Sequence, residues 1–201
     1  MTKLLFVELN EINFDVLKKY INHGYKFSHL SKLLSFKNIN TLCEEKYEHL
    51  EPWIQWHSIH TGKSFDEHKI FRLGDGCKSQ FESLHKKLEN LGYKVGAISP
   101  MNLKNDLKNP SYFIPDPWTN TVTDGSWWSK NIHRMINQTV TDNAAKKISF
   151  SNLFILTLTI LRFSRIKNLI YFFNLALSSI AKPWKRALFF DLLLHEINFF
   201  Y

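Results

Sequence analysis

Cysteine is scarce in this chain. The two that occur, Cys43 and Cys77, form no C-x-x-C pattern. Two isolated cysteines predict no disulfide framework, and they fit a reducing compartment. Only Lys3 precedes the first apolar run, which the acidic Glu8 cuts short, so no signal peptide is expected. These features predict a cytoplasmic protein.

Long uninterrupted apolar runs are also missing. The longest, residues 152–161 and 169–181, are separated by Arg162, Arg165 and Lys167. Each run alone is too short to cross a bilayer as a helix. A membrane-spanning protein is therefore not expected, although contact with a membrane surface stays open.

The chain has no arginine- and glycine-rich run and no nucleic-acid-binding motif, so nucleic acid is not expected as a partner. Its net charge is nevertheless +8, with a pI of about 9.4. That balance favours anionic partners, either a small-molecule or glycan substrate or a lipid headgroup surface. A lysine-rich codon bias explains the same charge, and the oligomeric state is left open.

Alternating short apolar runs and amphipathic stretches organise residues 1–125. Strands are predicted near residues 3–9, 37–42 and 93–98, because each run is short and almost wholly apolar. Helices are predicted between them, over residues 13–23, 28–35, 53–60 and 79–91. This alternation predicts an α/β core with a mostly parallel sheet flanked by helices. Residues 109–125 then form a long loop or lid.

Residues 126–201 carry a helical pattern throughout and form a second, all-helical segment. The predicted helices cover residues 126–137, 139–148, 152–163, 166–180 and 183–201. Two explanations remain for their apolar and basic surfaces: an anionic membrane surface, or packing against a part of the domain that lies outside the sequence. The apolar ending Phe199-Phe200-Tyr201 favours an insertion or cap of a truncated protein.

The most unusual stretch is residues 50–62, which read L-E-P-W-I-Q-W-H-S-I-H-T-G. So many large polar-tipped side chains suit the wall of a pocket. Indole rings bind sugars or bases through their flat faces, and a carboxylate can activate water. The predicted substrate-binding residues are Asn10, Trp53, Gln55, Trp56 and His57, with Glu51 as the catalytic residue and Glu8 as a metal ligand.

Each of these residues also has a structural explanation. Glu8 lies at the end of a predicted buried strand and can cap the next helix instead of binding a metal. Glu51 suits a helix N-terminus, where the helix dipole favours a carboxylate. The tryptophans can be core residues. His57 and His60 share a helix face and, with His68, suggest a metal site, but no cysteine or acidic residue is spaced to complete it.

Several segments resemble the N-terminal half of the alkaline phosphatase superfamily, in its phosphodiesterase, nucleotide pyrophosphatase and sulfatase branch. They are Val7-Glu8, the S-I-H-T-G segment at residues 58–62, and His68. Residues 50–62, 71–75, 95–102 and 114–118 are similar to uncharacterised bacterial proteins of that type, often encoded with surface-polysaccharide genes. The resemblance covers residues 3–125.

The resemblance implies a metal-dependent phosphate- or sulfate-ester hydrolase with a divalent metal, usually zinc. Glu8 matches the metal-binding aspartate of the family. The nucleophile positions match Pro52 and Trp53, neither of which can attack phosphorus or sulfur. This departure leaves Glu51 or a metal-bound water as the attacking group, in a truncated or inactive form. A non-catalytic glycan- or nucleotide-binding relative and a peripheral membrane scaffold are the alternatives.

Overall fold

A computed structural model describes residues 4–10, 12–37, 39, 41–141 and 149–201 of the chain. The chain divides into two compact units, residues 1–47 and 48–201. Helices dominate: 54% of the described residues are helical and 3% are in strands. Two single-turn 3₁₀ helices occur at Tyr47–His49 and Asp75–Lys78.

The N-terminal unit contains helices α1 (Phe14–Asn22) and α2 (Leu30–Leu33). Helix α1 begins where predicted, because the Asn13 carboxamide oxygen accepts hydrogen bonds from the backbone N–H groups of Asp15 and Val16, both at 3.0 Å. Helix α2 is much shorter than the predicted residues 28–35.

The prediction of an α/β core with a mostly parallel sheet is wrong. The described residues form one two-stranded parallel sheet, of strands β1 (Gly96–Ile98) and β2 (Tyr112–Ile114). Neither residues 4–9 nor the described part of 37–42 is a strand. Leu4 and Leu5 are each 71% exposed. An apolar run becomes a buried strand only where neighbouring strands complete its hydrogen bonds, and these segments have no ladder partner among the described residues.

The short sheet pairs one segment that was predicted to be a strand with one that was predicted to be a loop. β1 covers the last three residues of the strand predicted at 93–98, whereas β2 lies inside the predicted loop at 109–125. Ala97 aligns with Phe113, and both are buried. Each strand has only three residues, so the sheet contributes one small apolar layer to the fold.

Within the larger unit, three α-helices precede the sheet: α3 (Pro52–Thr61), α4 (Phe65–His68) and α5 (Leu84–Asn90). Pro52 occupies the first turn of α3, and Gly62 ends it with a left-handed φ of 69°. Helix α4 begins with a capping box. The Ser64 hydroxyl accepts from the Glu67 backbone N–H, and the Glu67 carboxylate accepts from the Ser64 backbone N–H. The S-x-x-E spacing from Ser64 to Glu67 is typical of such a helix start.

The C-terminal part of the larger unit is helical, as predicted. Its helices are α6 (Trp127–Thr141), α7 (Phe150–Phe163), α8 (Ile166–Ala181) and α9 (Lys185–Phe200). The helix predicted at 139–148 lies mostly outside the described residues. The four helices and β2 share one core, made of Ile114, Ile132, Met135, Ile136, Leu156, Phe163, Phe172, Leu193 and Ile197.

Candidate functional site

Helix α3 carries five of the seven predicted site residues. Glu51 is the N-cap residue and is exposed, and its side chain makes no capping hydrogen bond. Trp53 donates its indole N–H to the Phe71 carbonyl oxygen at 2.9 Å. Gln55 donates its side-chain amide to the His49 carbonyl oxygen at 2.8 Å. The polar ends of Trp53 and Gln55 are therefore used inside the fold.

The other two predicted residues on α3 pack among histidines. Trp56 is half-buried, and its ring stacks on His60 with centroids 6.0 Å apart. His57 is completely buried, and its ring meets the edge of His68 at 4.8 Å. His57 thus belongs to the interior of the larger unit.

Glu8 and Asn10 belong to the N-terminal unit. Glu8 is half-buried and Asn10 is exposed, both in irregular chain rather than at the end of a strand. The strand end that suggested a ligand site is therefore not formed there. Their roles as metal ligand and substrate-binding residue stay predictions.

Asn102 is the most connected polar residue near α3, and sequence reasoning overlooked it. Its side-chain oxygen accepts from the backbone N–H groups of Gly74 at 2.9 Å and Gly76 at 2.8 Å. Its amide group donates to the carbonyl oxygens of Trp53 at 3.1 Å and Arg72 at 3.4 Å. Asn102 therefore ties α3 to the 71–76 turn with one fully buried carboxamide.

The backbone of Asn102 is also held on both sides. Its N–H donates to the Asp116 carboxylate at 2.8 Å, and its carbonyl oxygen accepts from His57 Nδ1 at 3.1 Å. A φ of 55° places it in the left-handed region, which asparagine tolerates better than most residues. Gly76 packs so closely that an added Cβ would lie 1.8 Å from the Asn102 carbonyl oxygen.

Asp116 serves this network as an acceptor in a turn. Besides Asn102, it accepts from the backbone N–H groups of Trp118 at 2.8 Å and Thr119 at 2.9 Å. Hydrogen bonds within the fold therefore link α3, the 71–76 turn, Asn102 and Asp116. This arrangement stabilises the fold and leaves few polar groups to meet a substrate.

His57 is held in its neutral form. Nδ1 faces a carbonyl oxygen, which can only accept, so Nδ1 carries the proton and Nε2 the lone pair. Nε2 is buried, with no hydrogen-bond partner among the described residues. Burial is the main reason that the pKa of His57 falls from 6.5 to about 4; the Asn102 bond opposes this, and the charges of His68 and His60 add to it.

We expect the free energy of unfolding to decrease in acid because His57 is buried in its neutral form. The folded pKa of His57, about 4, lies below the ordinary 6.5. The unfolded chain therefore binds the proton more readily, and stability is complete above the ordinary pKa and decreases as the pH falls toward the folded one. NMR titration of the His57 ring should show protonation only near the lower value. In His57→Gln the loss of stability over this range should be smaller, and a ring that titrates near 6.5 would contradict the assignment.

No group of three or more histidine, cysteine, aspartate or glutamate side chains lies close enough to hold a metal ion within the described ranges. His57, His60 and His68 do not form such a group there. The divalent metal, and zinc in particular, stays a prediction.

A second candidate site lies on the outer face of α8. Ile166, Ile170, Phe173, Leu177 and Ile180 follow one another at helical spacings of four, three, four and three residues. We call these five residues the α8 stripe. They are 87%, 58%, 60%, 53% and 77% exposed. Contiguous exposed apolar surface of this kind marks an interaction site in soluble proteins.

The surroundings of the α8 stripe are basic. Residues 149–201 contain six cations, Arg162, Arg165, Lys167, Lys182, Lys185 and Arg186, and two acids, Asp191 and Glu196. Glu196 is buried and pairs with Arg165 at 2.5 Å, so these two charges neutralise each other and leave five cations and Asp191. Helices α7 and α8 contain no acidic residue. The face around the α8 stripe is therefore complementary to an anionic surface.

None of the helices in the described residues is long and apolar enough to cross a membrane. No protein-family model, curated protein or solved structure matches this chain. The resemblance to the alkaline phosphatase superfamily therefore stays a prediction.

Proposed function

We propose that this protein attaches peripherally to an anionic membrane surface through the outer face of α8. The observation that carries the proposal is the α8 stripe, five large apolar side chains that are each more than half exposed. Moving such a side chain from water into the acyl boundary contributes about 1 kcal/mol, less than the full value because part of it is already covered. The stripe as a whole supports a stable but reversible attachment.

Basic residues near the stripe favour a negatively charged membrane. Lys167 lies near the start of α8, and Lys182, Lys185 and Arg186 lie near its end. A lysine or arginine close to an anionic leaflet adds about 1 kcal/mol. The same charges repel a second copy of this face, so a lipid surface is a better occupant than a symmetric dimer.

Trp184 lies between the two lysines at the α8–α9 connection and is 64% exposed. Tryptophan is enriched at the boundary between headgroups and acyl chains, because its ring is apolar and its N–H is polar. Its position beside the end of the α8 stripe supports an orientation with α8 lying in the plane of the membrane interface.

The hydrolase and the glycan- or nucleotide-binding functions stay predictions. Around α3 the polar groups of Trp53, Gln55 and Asn102 are occupied by bonds within the fold. The predicted catalytic Glu51 is exposed, and no described contact assembles an attacking group beside it. The α8 face therefore has the stronger support from the geometry.

Vesicle co-sedimentation tests the membrane function. The protein should pellet with vesicles of equal parts phosphatidylglycerol and phosphatidylcholine, and much less with phosphatidylcholine alone. Ile170→Asp combined with Phe173→Asp should lower the bound fraction at least about tenfold, because it removes two apolar contacts and adds two negative charges.

Leu91→Asp is the matched control. Leu91 is 74% exposed but lies after α5, away from the stripe, so its variant should pellet like the original protein. Failure of the unaltered protein to pellet at low salt would contradict the proposal. A dimer in solution that the α8 variants dissociate, without vesicle binding, would instead assign the stripe to self-association.

A further inference from the structure

A groove of about 480 Å³ runs between α8 and α9. Its lining is Tyr171, Asn174, Leu175, Ser178, Lys185 and Leu192. The two helices are joined by a short connection, so Ser178 and Lys185 lie at the end of the groove nearest that connection, and Tyr171 and Leu192 lie at the other. Seven residues of helix separate the two ends, which makes the groove about 10 Å long.

The lining combines an apolar floor with a single positive charge. Leu175 and Leu192 supply the floor, and Lys185 is the one charged residue in the lining. The Ser178 hydroxyl donates to the Leu175 carbonyl oxygen at 3.3 Å, which leaves its oxygen as an acceptor. The Asn174 amide and the Lys185 ammonium group are therefore the natural donors for an anionic ligand.

The groove lies directly beside the α8 stripe. Tyr171, Asn174 and Ser178 each follow a stripe residue by one position. One residue turns a helix by about 100°, so these three residues lie on the flank of α8 next to the stripe, and the groove opens on that flank.

We infer that this groove binds one anionic phospholipid, with its phosphate at Lys185 and part of an acyl chain over Leu175 and Leu192. The inference rests on the proposed membrane attachment and specifies its lipid class. An acyl chain matches the apolar floor, and the single cation at one end fixes the direction of the lipid. A free inorganic phosphate shares only the charged contact.

Titration calorimetry with a short-chain phosphatidylglycerol, kept below its micelle concentration, tests the groove on the full chain. Binding should saturate at one lipid per chain. Lys185→Gln should weaken it at least about fivefold, and Lys94→Gln, which removes an exposed lysine outside the lining, less than about twofold. Ser178→Phe should abolish it by filling the groove. Inorganic phosphate alone should neither saturate nor displace the lipid.

The outcomes separate the groove from the membrane attachment. Equal effects of the two lysine variants, unchanged binding by Ser178→Phe, or displacement by inorganic phosphate would overturn the groove. In each of those cases vesicle binding that depends on the α8 stripe would still support the proposed function. Saturable lipid binding without any vesicle binding would support the groove and overturn the attachment.

Discussion

Asn102→Ala should lower the free energy of unfolding by about 3–5 kcal/mol, because it leaves buried partners without hydrogen bonds. The substitution removes the side-chain oxygen that accepts from the N–H groups of Gly74 and Gly76. It also removes the side-chain N–H groups that donate to the carbonyl oxygens of Trp53 and Arg72. Alanine also tolerates the φ of 55° less well than asparagine does. Urea unfolding of the two proteins measures the difference.

Asn90→Ala provides the control for this substitution. Asn90 is exposed at the end of α5, and its one described side-chain bond is a long contact of 3.5 Å to Glu82. Its removal should change stability by less than about 0.5 kcal/mol. If Asn102→Ala were as mild as Asn90→Ala, the bonds around Asn102 would not be what holds α3 to the 71–76 turn.

Glu196→Gln should cost about 2–3 kcal/mol of stability, since it removes the fully buried carboxylate that pairs with Arg165, whose own side chain is 29% exposed. The Glu196 carboxylate accepts from the Arg165 backbone N–H at 2.7 Å, from its Nε at 3.0 Å and from its Nη2 at 2.5 Å, and from Asn168 at 2.8 Å. Asp191→Asn, on the same helix but exposed, should be close to neutral. Thermal unfolding measures both.

The same pair predicts sensitivity to acid. Burial raises the pKa of Glu196, but the hydrogen bonds from Arg165 and Asn168 outweigh burial and hold that pKa below its usual range. The stabilisation is therefore complete above the unfolded value, about 4.3, and is lost as the pH falls through the lower folded pKa. Glu196→Gln should lose less stability over that range than the original protein, and equal losses in both proteins would contradict this role.

Helices were predictable where one stretch of sequence contains all that a helix needs. The Asn13 cap, Pro52 at the first turn of α3 and the apolar pattern of α7 and α8 are local signals, and the observed helices begin or end close to them. The strand predictions were wrong for the opposite reason. A strand depends on partners far along the chain, and residues 4–9 contain no information about whether such partners exist.

The candidate sites also combine features that a local sequence pattern shows with features that depend on distant residues. The sequence identified His57 and Trp53 as unusual, but their role depends on Asn102, forty-five positions after His57, which no local pattern connects to α3. The α8 stripe, in contrast, could have been read from the spacing of Ile166, Ile170, Phe173 and Leu177. That spacing does not reveal which face packs inward, so the sequence alone leaves two explanations, a membrane surface or packing against another part of the domain.

The bond between Glu196 and the start of α8 links residues that are 31 positions apart. During synthesis, Arg165 and Asn168 leave the ribosome well before Glu196, so α8 emerges without the carboxylate that its first turn bonds. The apolar side chains that α8 turns toward α9, such as Phe172, are uncovered over the same interval. Exposed apolar surface of this kind is prone to aggregation, so the nascent α7–α8 segment needs protection until α9 has left the ribosome.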